Sequence, residues 1–323
     1  MKIQDPIHST TLASKQLSHS VSARFGKPRI VILGCGDVGE RLIPLLTRYF
    51  QVFAVTSQGP KSERFAQLRQ LGATPIQSNL DHIDSLWRIT HLATRFVHLA
   101  PPPPQGEIDS RTRLLAAILP EKAQLVYIST TGVYGDCKGA YFDETRPVAP
   151  SNARAKRRVD AERCLRSWAK RKYGRLSILR VPGIYAAERL PLERLQKGTP
   201  ALRDEEDVYT NHIHADDLAY ITWLTLFRGL PSRTYHAVDD SALKMGEYFD
   251  VVAAAYNISP APRLTRQALE QQVSPMLLSF MSESRRLDNR RMKTELGVRL
   301  RYPDVKTALA RFRAEGSIKV GVI

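Results

Sequence analysis

The chain has 323 residues, 43% hydrophobic, with a formal net charge of +16 and three cysteines. That length accommodates one extended α/β domain or two closely joined lobes, and no apolar run approaches the ~20 residues of a membrane span. Cys35, Cys137 and Cys164 form no CxxC pair, which argues against a disulfide framework and suits a reducing cytoplasm; the positive charge favours anionic partners, yet it is spread along the whole chain with no basic tail, zinc-finger spacing or RNA-binding signature.

Residues 1–28 read as a disordered leader, rich in Ser, Thr and basic residues with one acid, Asp5, and without the apolar core of a secretory signal. From Arg29 the pattern changes. "RIVILG" predicts a buried strand, and Val38 to Tyr49 a helix with Leu42, Leu45, Leu46 and Tyr49 on its apolar stripe. "QVFAVTS" is a second strand, and Pro60–Leu71 a helix closed by Gly72. "TPIQS" and "RFVHLAPPPP" are the third and fourth strands, the latter stopped by its prolines. A helix over Asp109–Leu119, a fifth strand "AQLVYIST", a basic helix over Asn152–Lys172 and a sixth strand "RLSILRVPG" follow. Strands alternating with helices imply βαβ units and a doubly wound, Rossmann-type parallel sheet over residues 29–181. After Pro182 the alternation breaks down. A helix near Asp217–Phe227, a strand "RTYHAV" and a helix near Lys244–Tyr256 suggest a smaller lobe, residues 182–323, packed on the first.

"GCGDVG" places Gly34, Gly36 and Gly39 between the first strand and the first helix, the context that gives a GxGxxG spacing its meaning. Gly34 permits the tight turn, Gly36 admits a pyrophosphate, Gly39 lets the helix lie close to the sheet, and the helix N-terminus at Asp37 and Val38 offers free N–H groups. At the end of the second strand, where an NAD-binding fold usually keeps an acid for the ribose, the chain reads Thr56-Ser57-Gln58. Lys61 and Arg64 lie just beyond. This leans toward NADP over NAD, the alternative being that both cations are the exposed side of a helix.

"YISTTGVYGD" (127–136) resembles the SSxxVYG element of the extended short-chain dehydrogenases/reductases, the epimerase/dehydratase group. "HLAPPPPQG", "LRVPGIYAAERLP", "HIHADDLA" and "RRLDNRRMKTELGVRLRYP" follow in the same order, over about residues 29–310. The resemblance implies that Leu99, Ala100 and Pro101, and later Pro182, Gly183 and Ile184, contact the cofactor. It puts Thr130 where the family polarises the substrate oxygen, the alternative being a hydroxyl that caps the next turn. Thr131, Tyr134 and Arg189 become candidate substrate contacts, Arg189 facing an anion or solvent. The family's YxxxK pair falls on the basic helix. Aligning on Glu162 puts Arg158 at the lysine and Arg154 at the tyrosine. An arginine stays charged at any working pH, so it orients anions but shuttles no proton.

Helical spacing places Ala155, Val159, Leu165 and Trp168 on the sheet, Arg154 and Arg158 toward the cleft, and Lys156, Arg157, Asp160 and Arg163 in water. Tyr134, Tyr141 and Tyr185 are candidate replacement acids. Asp217 reads as a helix N-cap, and His212 and His214 as satisfied structural histidines without a third metal ligand. Three functions compete. The first is an NAD(P)-dependent oxidoreductase or epimerase, for which the family resemblance implies a homodimer, acting on a small, anionic or nucleotide-linked substrate. The second is an inert dinucleotide sensor. The third, specific nucleic-acid binding, rests on charge alone.

Overall fold

The computed structural model describes residues 26–315; the expected leader lies outside them except for its last three residues. Its centre is a seven-stranded sheet. The strands are β1 (Arg29–Leu33), β2 (Gln51–Thr56), β3 (Thr74–Gln77), β4 (Arg95–His98), β5 (Gln124–Thr130) and β6 (Arg175–Val181). A short parallel pair, β7 (Gly183–Tyr185) and β8 (His212–His214), precedes the last sheet strand, β9 (Arg233–His236). The order is β9-β6-β5-β4-β1-β2-β3, every pair parallel. The order reverses between β1 and β4, the switch point at which doubly wound sheets open a crevice at their carboxyl ends.

Both faces of the sheet are covered, which is why its strands read as unbroken apolar runs. Ile30, Ile32, Val52, Ala54 and Leu179 point to the side of α1 (Asp37–Leu46) and α6 (Ala215–Arg228). Val31, Leu33, Phe96, Leu125 and Ile178 point to the side of α4 (Ser110–Ile118) and α5 (Ala153–Arg171). Helices α2 (Glu63–Gln70) and α3 (Ile83–Thr90) complete the winding. The first is capped by the Ser62 hydroxyl and closed by Gly72 at φ +90°. The second was not read from sequence. Its Leu86 and Ile89 are buried, whereas Trp87 is 56% exposed and blurs the stripe.

Tyr49 departs from the expected stripe because α1 ends at Leu46; the next turn exposes Tyr49 and buries Phe50 instead. The chain beyond Pro182 serves two layers. Helix α6 packs on α1 and β9 pairs with β6, so both belong to the sheet layers rather than to the smaller lobe alone. Of the remainder, α7 (Met245–Ala255) and α8 (Val305–Ala314) close a separate core around Phe249, Val252, Leu309 and Phe312, while Met292, Leu296 and Val298 join the core beneath the sheet.

Candidate functional site

The glycine loop is shaped by what each residue touches. Gly34 has φ +76°, and a Cβ there would stand 2.5 Å from the Ala100 backbone, so the β1 and β4 ends meet only because position 34 is bare. A Cβ on Gly39 would strike the Cys35 sulfur at 2.7 Å and approach Leu99 at 3.3 Å. Gly36 differs: nothing lies within 4 Å of its added Cβ, so the loop is open on that side. No side chain caps α1, whose first N–H groups remain available to an anion. A pyrophosphate fits this cradle. Leu99 and Ala100 are held beside it by bonds from both backbone N–H groups to the Leu33 carbonyl.

Charged groups frame the loop. Arg189 donates to Asp37 at 2.9 Å, and Arg41 donates to Asp37 at 2.8 Å, to Asp216 at 2.5 Å and to Glu188. Burial pulls the Asp37 carboxyl upward, but the two guanidiniums outweigh it and hold it below the usual range. Arg189 is thus a tie between the segment after β7 and the glycine loop. Arg64 is engaged likewise, with the Cys35 carbonyl and Glu40. Ser57 and Lys61 are exposed beyond β2.

At the carboxyl ends of β5 and β6 lies a cleft of 470 Å³. Thr130, Thr131, Arg154, Pro182, Gly183 and Ile184 line it together. The Thr130 hydroxyl accepts from Gly132 N–H at 3.2 Å, so it also caps its turn. Arg158 is separated from Arg154. It lies against β5, donating to the Tyr127 hydroxyl and the Ile128 carbonyl, both at 3.0 Å, and does not line the cleft. Ala155, Val159, Leu165 and Trp168 are buried as expected. Arg157 is not in water. It is buried under the Gly106 carbonyl, to which it donates, because the loop before α4 folds over that side of α5. Lys156 and Asp160 are half-buried in pairs with Glu107 and Arg113.

Tyr134 also lies outside the cleft. Its ring is 1% exposed and its hydroxyl is fully engaged. Arg180 donates to that oxygen at 2.6 Å, and the hydroxyl donates to His236 Nε2 at 2.6 Å; His236 Nδ1–H in turn donates to the Asp288 carbonyl at 2.9 Å. Arg180 also grips Glu162 at 2.7 and 3.1 Å, and Ser129 donates to the same carboxylate at 2.7 Å. Burial pushes the Tyr134 phenol up to about 12 against the opposing pull of Arg180. Glu162, the alignment anchor, is thus a buried strut. Tyr141 is 59% exposed on the outer side of the two-residue strand Tyr141–Phe142.

The far wall was missed by sequence reasoning. Asn152, Arg194, Tyr209, Asn211, Tyr248 and Arg285 line it, joined by His212 and Tyr185. Arg194 stacks over the Phe249 ring at 4.2 Å, and its buried Nε has no partner among the described residues. Burial lowers its guanidinium to about 10. Arg285 pairs with Glu283 at 2.8 Å, and Glu283 accepts from Ser151 and Asn152 at the start of α5. Three guanidiniums therefore face one carboxylate in the lining.

Two further expectations change. Asp217 does not cap α6; the His214 Nδ1 does, accepting from Asp216 N–H at 3.1 Å. Asp217 sits one turn in and accepts from the Arg301 and Tyr302 N–H groups, both at 2.8 Å, which pins the C-terminal segment. His214 is satisfied by that cap, whereas His212 is not: its Nδ1 is buried without a partner. No group of three or more His, Cys, Asp or Glu among the described residues is placed to hold a metal, and no described helix is long and apolar enough to cross a membrane.

A model of the NAD dependent epimerase/dehydratase family matches residues 30–240. No curated protein matches the sequence. Among solved structures, the chain is similar to a functionally unknown conserved protein from Silicibacter pomeroyi, at 26% identity and TM-score 0.71, covering 90% of this chain and 99% of that one. It is also similar to the Thermotoga maritima UDP-glucose 4-epimerase with UDP-glucose, at 16% identity and TM-score 0.69 over 89% and 99% of the two chains. A dTDP-glucose 4,6-dehydratase double mutant from Streptomyces venezuelae with NAD bound gives 17% and 0.68 over 88% and 97%. At such identities the last two likenesses establish the fold.

Proposed function

The chain belongs to the NAD dependent epimerase/dehydratase family, and from that premise we propose that it is an oxidoreductase or epimerase acting on a small anionic substrate held in the cleft beside the glycine loop. The observation that carries this reading is the lining itself, with Arg154, Arg194 and Arg285 against one carboxylate, Glu283. A substrate phosphate or carboxylate supplies the partner that Arg194 Nε lacks.

A bound nicotinamide dinucleotide supplies or accepts a hydride. The chain's own part is to bind and orient. The amides after Gly36 receive the pyrophosphate. Pro182, Gly183 and Ile184 lie along the edge of the cleft where the nicotinamide is expected. The Thr130 hydroxyl, already oriented by Gly132, polarises the substrate oxygen. In this reading Arg154 and Arg158 replace the family's tyrosine and lysine. Arg154 stabilises negative charge from the cleft wall, and Arg158 braces the end of β5 through the Ile128 carbonyl. With Arg64 engaged elsewhere, the preference for NADP over NAD rests on Lys61.

The test is to titrate NADH and NADPH by nicotinamide fluorescence and then offer carbonyl, sugar-phosphate and nucleotide-sugar substrates. Binding of neither dinucleotide overturns the proposal, as does turnover that Arg194→Ala or Arg285→Ala leaves unchanged. The second reading, an inert dinucleotide sensor, is favoured by the arginines in the catalytic positions. Binding without cofactor oxidation across that panel selects it.

A further inference from the structure

Three buried side-chain groups meet around one corner of the cleft: Tyr185 Oη and the Asp239 carboxyl act on each other as hydrogen-bond partners, and His212 Nδ1 has none among the described residues. Strand register brings them together. In the β7–β8 pair, His212 lies opposite Gly183 and His214 opposite Tyr185. Tyr185 stands edge-on to both imidazoles, with ring centres 6.2 Å from His212 and 5.3 Å from His214. Tyr248 stacks on His212 at 4.3 Å. Asp239 is fixed behind them, its N–H donating to the His212 carbonyl at 2.8 Å and its Oδ1 accepting from Ser241 N–H at 3.0 Å. Of the three, Tyr185 and His212 line the cleft and Asp239 does not.

A buried polar atom left unbonded costs about 1–3 kcal/mol, so His212 Nδ1 calls for a partner that also reaches the Tyr185–Asp239 pair. A buried water needs two to four polar neighbours, and this corner offers three. We propose that one water bridges these atoms and that His212 is the proton-transfer residue of the cleft, drawing on Asp239 through that water, with Tyr185 as a positioning residue. The proposal rests on the oxidoreductase reading above and supplies the proton donor that Arg154 and Arg158 cannot be.

The protonation states agree with the geometry. Burial holds the His212 imidazole low, at about 4, so it is neutral near pH 7. Burial pushes the Asp239 carboxyl up to about 8, so it carries a proton there. The titratable groups that act on this corner are Tyr185, Tyr248, Asp240 and Asp217. In the reducing direction, the substrate carbonyl carbon gains the hydride and its oxygen takes the proton from His212 Nε2. Nδ1 takes one from the water, and the water takes one from Asp239. The imidazole ends neutral with its proton on the other nitrogen. Asp239 is left a carboxylate until solvent returns its proton, and oxidation runs each transfer backwards.

Long-range proton–nitrogen spectra of the full chain, labelled at the histidine imidazoles, read this relay without ligand. From about pH 5 to about pH 9, His212 should stay neutral and change tautomer as Asp239 ionises; Asp239→Asn should abolish that step. An imidazole titrating near the ordinary ~6.5, or a step that survives Asp239→Asn, overturns the proposal. In turnover, His212→Phe should lower kcat by about 10²–10⁴ with dinucleotide affinity within about twofold of wild type. An unchanged kcat overturns it. Should wild-type protein bind no dinucleotide, the oxidoreductase reading fails, and the spectra still decide whether the relay exists.

Discussion

The Glu162–Arg180–Tyr134–His236 chain and the Tyr185–His212–Asp239 corner each combine a buried carboxyl, phenol and imidazole. In the first, each of these side chains is bonded, from Ser129 at one end to the Asp288 carbonyl at the other. In the second, Tyr185 and Asp239 interact, with no cation beside them, and His212 Nδ1 has no partner among the described residues. The difference is a cation. Arg180 lies in the first cluster, pairs with Glu162 and forks to Tyr134, so the carboxylate has its counter-charge and the hydroxyl a fixed direction. No arginine or lysine pairs with Asp239 among the described residues, and burial leaves that carboxyl protonated at neutral pH. Residue type does not separate a strut from a reactive group here; hydrogen-bond satisfaction does.

That contrast can be broken by stability measurements. Glu162→Ala leaves Arg180 buried without its counter-charge and should cost about 3–5 kcal/mol in denaturant unfolding; a loss below ~1 kcal/mol would show that the chain is not a strut. Tyr134→Phe strips one partner from both Arg180 and His236 and should cost about 1–3 kcal/mol. Tyr185→Phe removes one hydroxyl whose partner is the neutral Asp239 carboxyl and strips no buried cation, so its cost should stay below that of Tyr134→Phe, at about 1 kcal/mol. Equal costs for the two tyrosines would erase the distinction.

The pH dependence sharpens the comparison further. Asp239 keeps its proton up to about 8 in the fold, against the ordinary ~3.9 in the unfolded chain. Its contribution is whole below the unfolded value and is lost as pH rises through the folded one. His212 and His236 are both held near about 4 by burial, against the ordinary ~6.5. Their contribution is present above the unfolded value and is lost as pH falls through the folded one. Thermal melts should therefore show losses on both sides. Asp239→Asn should remove the loss that accrues between about pH 4 and about pH 8, raising Tm by on the order of several °C at the upper end of that window. A loss with rising pH over that window that persists in that variant contradicts the assignment.

The smallest effect is expected outside both clusters, where charge is exposed. Lys61→Glu should weaken NADPH binding about fivefold, the equivalent of ~1 kcal/mol, and leave NADH binding unchanged. Parallel losses for both dinucleotides would remove Lys61 from the 2′-phosphate reading.

Much of the frame was legible. Apolar runs, the GCGDVG spacing and the Ala155–Val159–Leu165–Trp168 stripe are patterns of local periodicity and backbone freedom, and the structure repeats them. Legibility stopped where burial came from elsewhere in the chain. Arg157 looked solvated because nothing near it in sequence announces the loop carrying Gly106. Tyr134 looked available because its hydroxyl partners, Arg180 and His236, lie 46 and 102 residues away. Asp217 looked like a cap because its own partners, Arg301 and Tyr302, come from the C-terminal segment.

The sequence by itself determined the doubly wound sheet, the turn built on Gly34 and the helix that carries Arg154, since each follows from local periodicity and backbone freedom. Only the tertiary structure decided the cleft. Arg154, Arg194, His212 and Arg285 meet because β5 and β6 end and β8 begins at one edge while the C-terminal segment folds back over α5. Which of their polar atoms are satisfied is a property of that meeting, and no spacing along the chain encodes it.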